Sequence, residues 1–390
     1  MKKVLFIHDV FPCGGAEKIT IDIADYITSK GYEFHVVACH FTQKLPNIIE
    51  TTLPDSIDLN SPENARFISQ YVAAQQIDLG VLPIRALDHF DKMQEGNVAK
   101  WVFSLHSTPL WEEKHLLSLK KRRAKGKPLK MLEWIFLSYP KIVWLKKAEK
   151  KYIVSYQRIY NLVDAYTVLC DEYKQILVKK LRLHPTDNKI HTIYNPSYPA
   201  KDLNLNKKKQ ILFVGRLTYI DKRIDRLLDI WGMVYKKALD WELIIVGDGE
   251  ERESLQSKAT KMQLDRISFV GYTNDVDSYY HDASIICLTS SFEGWPLSLA
   301  EGQANGVIPF AFDCTAGLKE MLSPSGVNGF LIPSFNRRVY AKTLLGLMKD
   351  SERQMEMRPD LVNQASKHSP QVIGEKWLTL FNSLTEREIV

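Results

Sequence analysis

Two doubly wound α/β domains, each a parallel sheet with helices on both faces, are expected from this chain of 390 residues. Short β-branched or aromatic runs recur along it, each followed by a turn and a helix-length segment, and they fall into two series of six. The runs are nearly continuous in apolar residues, the pattern of strands buried on both faces. At roughly 150 residues per domain, the length accommodates two to three cores.

The first series lies at residues 4–8, 34–39, 79–82, 101–105, 166–169 and 190–193. After the first strand, Gly14-Gly15 opens a helix whose Ile19, Ile23, Tyr26 and Ile27 form one apolar stripe, ended by Gly31. After the sixth, Asn195-Pro196-Ser197-Tyr198-Pro199 and the Asn- and Lys-rich run to Lys209 read as a linker. The second series lies at 211–214, 243–246, 267–270, 285–288, 308–312 and 330–332. A last helix is expected near 372–384, where Ile373, Trp377, Leu378, Leu380, Phe381 and Leu384 make a broad apolar stripe that must dock, on the first domain by expectation. The boundaries follow: a domain at 1–198 with an insertion at about 110–160, a linker at 199–209, a domain at 210–370, and a returning helix at 371–390.

Composition narrows the classes. With 45% hydrophobic and 25% charged residues the chain is neither disordered nor collagenous. Its apolar runs are strand-length, short of the roughly 18 to 20 residues of a membrane span, and the apolar run after Lys2-Lys3 is too short for a signal peptide. A cytoplasmic protein is expected. The five cysteines, Cys13, Cys39, Cys170, Cys287 and Cys314, include no C-x-x-C pair, which disfavours a disulfide framework and a zinc site. The net charge of +6 is concentrated: fourteen basic residues against Glu133 and Glu149 lie between Lys114 and Arg158. Interleaved with Trp134, Phe136, Tyr139, Trp144, Tyr152 and Tyr156, they suit an anionic membrane surface or nucleic acid. No nucleic-acid motif accompanies them, so the membrane is the preferred partner. Lys120, Lys121, Arg122 and Arg123 would meet lipid phosphates, and Trp134 and Trp144 the headgroup boundary.

Candidate ligand residues sit where strands of the second series end. Ligands of parallel sheets collect at the carboxyl ends of strands, so Arg216, with Lys222 six residues on, suits a diphosphate. Ser291-Phe292-Glu293-Gly294-Trp295-Pro296 follows another strand, with Pro296 fitting the first turn of a helix to about Asn305. Glu293 then stands before a helix N-terminus, where it would accept from sugar hydroxyls. Glu301 shares an inward stripe with Leu297, Ala300 and Ala304, and a buried carboxylate needs donors such as the vicinal hydroxyls of a ribose.

Gly14-Gly15-Ala16-Glu17, Gly215-Arg216 with Lys222, Gly247-Asp248-Gly249, and Glu293 with Glu301 after seven residues together resemble the retaining glycosyltransferases of family 4. That resemblance implies the GT-B fold, two Rossmann-like domains facing a central cleft, and transfer of a sugar from a nucleotide diphosphate with retention of configuration. It implies that Gly15, Arg216 and Lys222 bind the donor diphosphate, that Glu293, Gly294, Trp295, Pro296 and Leu297 surround the donor sugar, and that Tyr272 and Glu301 hold the nucleoside. His106, ending the fourth strand, matches a histidine near the reacting sugar, with His8 a weaker candidate. One departure is Arg223, where the family usually has glycine after the lysine.

The expected reaction moves a hexose from a UDP-sugar to a lipid-linked or lipopolysaccharide-type acceptor at the cytoplasmic membrane face. No metal is expected: Asp275-Val276-Asp277 matches a metal-binding D-x-D pattern, but it opens a short helix where acids serve as caps. A sugar-nucleotide epimerase of the same fold would not need the basic segment. A non-catalytic sugar-nucleotide binder or a nucleic-acid-binding protein are the remaining alternatives. Transfer or hydrolysis of a panel of sugar nucleotides discriminates among them.

Overall fold

A computed structural model describes residues 1–83 and 88–386. Among these, thirteen strands form two parallel sheets, and the chain divides into two compact units. The first unit comprises Met1–Pro109, Lys151–Pro196 and Pro370–Val390, and the second Leu110–Lys150 and Ser197–Ser369.

In the first unit β1 (Lys3–Phe11), β2 (Glu33–Phe41), β3 (Ile49–Thr52), β4 (Leu79–Leu82), β5 (Lys100–Ser104), β6 (Ala165–Val168) and β7 (Ile190–Thr192) take the order β3-β2-β1-β4-β5-β6-β7. Phe6 of β1 pairs with Val36 on one side and Val81 on the other, and all three are buried, as the continuous apolar runs require. β3 was not expected. Its Ile49-Glu50-Thr51-Thr52 holds one aliphatic residue and forms a half-exposed sheet edge, so the apolar signal is missing there.

The helix Gly15–Ser29 buries Ile19, Ile23, Ala24 and Ile27. Against it packs the last helix, Pro370–Thr385, within the first unit. Its Trp377 lies 6.5 Å from the Phe6 ring and its Phe381 6.3 Å from Tyr32. Gly374 permits that approach, because a Cβ there would fall 2.3 Å from the ring of Tyr26.

In the second unit β8 (Lys208–Val214), β9 (Glu242–Val246), β10 (Ile267–Gly271), β11 (Ala283–Leu288), β12 (Ile308–Phe312) and β13 (Phe330–Ile332) take the order β10-β9-β8-β11-β12-β13. The helix Ile224–Val234 follows β8 and buries Leu227, Leu228, Ile230 and Trp231. Chain order reverses between β8 and β11, and a doubly wound sheet opens a crevice at the carboxyl ends of such neighbours.

Two boundaries differ from the sequence reading. Leu110–Lys150, expected within the first domain, packs with the second unit. Polar ties are the reason: on the helix Trp111–Ala124, Arg122 reaches Glu250 at 2.5 Å and Glu251 at 2.7 Å, and Lys114 Nζ donates to the Cys314 carbonyl at 3.0 Å. The end of the expected linker is likewise anchored. Lys207 Nζ donates to the carbonyls of Tyr280 and His281 at 2.7 and 2.8 Å, and β8 begins at Lys208. Among the described residues no helix is long and apolar enough to cross a membrane.

Candidate active site

The loops after β8 and β11 meet at the crevice of the second sheet through one ion pair. Lys222 Nζ donates to Glu293 Oε1 at 2.8 Å, and Ser290 Oγ donates to the same oxygen at 2.6 Å. Both charged side chains are nearly enclosed, 16% and 11% exposed, so desolvation fixes their geometry more than a surface pair would. An ammonium and a carboxylate thus stand side by side, one suited to phosphate oxygens and the other to hydroxyl donors.

Arg216 is different: its side chain is 78% exposed and 3.6 Å from Asp221. Its backbone is braced by the Gly247-Asp248-Gly249 turn, since Leu217 N donates to Asp248 O at 2.8 Å and Gly215 N to Val246 O at 3.1 Å. Gly247 has φ +126°, and a Cβ there would fall 2.0 Å from the Gly215 carbonyl oxygen. Only glycine fits.

Arg223, the departure noted above, takes φ +53° just before the helix Ile224–Val234. That backbone accounts for glycine being usual at this position. Here the guanidinium forks onto Asp225 at 2.8 and 2.9 Å and lies 4.3 Å from the Tyr219 ring, contacts that offset the strained backbone.

Glu301, on the helix Leu297–Ala304, accepts at Oε2 from the Tyr280 hydroxyl at 2.8 Å. Tyr272, after β10, is 78% exposed, its hydroxyl donating to Asn274 Oδ1 at 2.9 Å. Pro296 is the N-cap, Leu297 the first helical residue, and Gly294 is buried in the approach. Trp295 is buried, its ring edge-on to His368 at 5.4 Å.

In the first unit, His106 follows the end of β5 and is held at both nitrogens. Thr167 Oγ1 donates to Ser104 Oγ at 2.7 Å, Ser104 Oγ lies 3.1 Å from His106 Nε2, and Nδ1 lies 3.4 Å from Asn195 Oδ1. This chain assigns the proton to Nδ1. Burial pulls the imidazole down to about 4, against the Asn195 bond, so the ring is neutral at pH 7.

His8 on β1 is buried, with Nε2 3.0 Å from Thr20 Oγ1 and Nδ1 3.7 Å from Glu17. Burial lowers its pKa against the pull of Glu17. Gly15 is exposed at the start of its helix, and Gly14, at φ +149°, leaves room for the Glu17 carboxylate, which a Cβ would approach to 2.9 Å.

The basic segment divides. Arg122 is committed to Glu250 and Glu251, and the exposed Lys121 lies 5.5 Å over the ring of the half-buried Trp134. Lys120 Nζ is 3.4 Å from Ser138 Oγ, while Arg123 is exposed. Trp144 is 73% exposed, along with Leu129, Leu132, Phe136, Leu137 and Leu145. Asp275 accepts from Ser278 N at 3.3 Å and Asp277 pairs with Lys201 at 2.7 Å, both on one short helix and its approach. Among the described residues no group of three His, Cys, Asp or Glu side chains is arranged to hold a metal ion. Ser290, Tyr280 and Asn195 were not anticipated. Each is identified by contact with a residue distant along the chain or by a loop fold that the sequence pattern does not encode.

Residues 196–368 match the family described as glycosyl transferases group 1. An uncharacterized glycosyltransferase of Haemophilus influenzae is 28% identical over 389 residues, 97% of this chain and 99% of that protein. A lipopolysaccharide 1,6-galactosyltransferase of Salmonella typhimurium is 28% identical over 155 residues, 36% of this chain and 41% of that one. The Anabaena protein HepE, solved with UDP, has a similar fold at a TM-score of 0.67 and 15% identity, covering 98% of this chain and 100% of its own.

Proposed function

We propose, from the match of residues 196–368 to the glycosyl transferases group 1 family, that the chain is a retaining, metal-independent hexosyltransferase acting on UDP-sugars. The acceptor is a lipid-linked or lipopolysaccharide-type glycan at the cytoplasmic face of the membrane. The observation that carries this reading is the Lys222–Glu293 pair at the point where strand order reverses. Lys222 and Arg216 neutralise the diphosphate as it departs, which is the part a metal ion would otherwise play. Glu293 accepts from donor-sugar hydroxyls and Glu301 from the ribose. The bond from the anomeric carbon to the phosphate oxygen breaks, the acceptor oxygen bonds that carbon on the same face, and the departing phosphate takes the acceptor's proton. His106, neutral and bonded at both nitrogens, orients a substrate rather than relaying that proton.

The supporting relatives are the Salmonella lipopolysaccharide enzyme for the acceptor class and the UDP complex of HepE for the nucleotide. Glu293→Ala should slow transfer from a UDP-hexose by roughly ten- to hundredfold while the protein stays folded at the assay temperature, with a lowered melting temperature because Lys222 loses its partner. Activity should persist in EDTA. A wild-type rate in the variant removes Glu293 from the donor site, and activity lost in EDTA and restored by Mg²⁺ overturns the metal-independent mechanism.

A further inference from the structure

Resting on the assignment of Glu301 to the ribose, we infer that Tyr280 is a positioning residue for nucleoside recognition: by holding one oxygen of Glu301 it aims the carboxylate at the sugar's vicinal hydroxyls. Tyr280 lies on the short helix Asp277–Asp282 and is 1% exposed. Its hydroxyl donates to Glu301 Oε2 at 2.8 Å, across 21 positions of sequence. Burial and the neighbouring carboxylate raise the phenol well above its ordinary pKa, so it remains a donor throughout the working range.

The tyrosine is itself fixed. Its carbonyl accepts from Lys207 Nζ at 2.7 Å, the adjoining His281 carbonyl accepts from the same nitrogen at 2.8 Å, and Asn204 Nδ2 donates to His281 at 3.2 Å. A glutamate side chain on a helix turns about three bonds and loses that freedom on meeting a ligand. With Oε2 engaged by a rigid aromatic donor, the carboxylate is oriented before the nucleotide arrives, and a carboxylate, with about four acceptor sites over its two oxygens, can accept from two adjacent hydroxyls together. The ligand class this arrangement selects is a ribonucleoside diphosphate over its 2′-deoxy counterpart.

The experiment is calorimetric binding of UDP and 2′-deoxy-UDP to the wild type, Tyr280→Phe, Glu301→Ala and the double variant, each checked by its melting temperature. Tyr280→Phe should weaken UDP by about three- to tenfold and 2′-deoxy-UDP by clearly less, because the deoxy nucleotide offers the carboxylate one hydroxyl in place of two. In the Glu301→Ala background the same substitution should have no further effect. Equal losses for both nucleotides, no loss for either, or an undiminished effect without Glu301 would each overturn the positioning role. If Glu301→Ala keeps the preference for UDP, the ribose assignment falls and the proposal falls with it. If Glu301→Ala loses that preference and Tyr280→Phe keeps it, the proposal alone fails.

Discussion

Arg223 shows how a side chain can compensate for its own backbone. A left-handed residue other than glycine costs about 1 to 2 kcal/mol, and the fork to Asp225 with the stack on Tyr219 opposes that cost. Two substitutions separate the terms. Arg223→Ala loses the contacts and keeps the strain, whereas Arg223→Gly loses the contacts and relieves it. Arg223→Gly should therefore be more stable than Arg223→Ala by about 1 kcal/mol in denaturant titration; the opposite ranking would mean that the backbone is not strained.

His106 carries a pH prediction. Its pKa falls from the ordinary 6.5 to about 4 on folding, because burial disfavours the imidazolium. Between those values the unfolded chain binds more protons than the folded one, so stability is full above pH 6.5 and falls as the pH drops toward 4. The amount is about 3 kcal/mol from this group, at about 1.4 kcal/mol per pH unit. Melting temperature measured from pH 7 to 4 should decline less steeply in His106→Gln than in the wild type; identical slopes would place the proton uptake elsewhere.

At the scale of elements, the last helix of the chain is held against the first by a glycine. The Cβ of alanine at position 374 would fall 2.3 Å from the Tyr26 ring, too close unless a helix shifts. Gly374→Ala should thus cost about 1 to 3 kcal/mol through overpacking, read as a lower melting temperature. A compensating Tyr26→Ala should recover part of it. No loss in the single variant would show that the two helices tolerate separation.

The same scale explains what was legible in the sequence. β1 and β11 announce themselves by unbroken apolar runs, while β3, with Ile49 as its one aliphatic residue, is made a strand by its neighbour β2. The helix beginning at Leu297 was readable from Pro296 alone. The commitment of Arg122 to Glu250 and Glu251 was not, since those partners lie 128 and 129 positions away. For the same reason Lys222 and Glu293 were readable as separate residues but not as a pair.

For the whole molecule, net charge alone was a poor guide to surface chemistry. The basic segment looked uniform, yet part of it is taken up by acids and aromatic rings of the second unit, and the exposed apolar residues lie further along, from Leu129 to Leu145. Membrane attachment, if it uses this segment, should therefore depend on Phe136, Leu137 and Trp144 with the exposed Lys127, Lys130 and Lys141. Sedimentation with vesicles containing anionic lipid should capture the protein at low salt and release it at high salt. Replacing Phe136, Leu137 and Trp144 by Ser should reduce capture more than Arg122→Ser, which breaks the two ion pairs to Glu250 and Glu251. Equal capture by neutral vesicles, or none by either kind, would remove the membrane role.

The path of the chain has an evolutionary consequence. It changes unit after Pro109, Lys150, Pro196 and Ser369, so four joins, not one, stitch the two units together. Homologous recombination with a single crossover near residue 196 would carry the last helix, with its Trp377 and Phe381, away from the first sheet, and would leave Leu110–Lys150 behind without its partners. Hybrid genes that exchange one unit intact need crossovers at all four joins. Exchange of a whole unit through the simplest gene shuffling is therefore penalised, and point substitution is the less disruptive route to change.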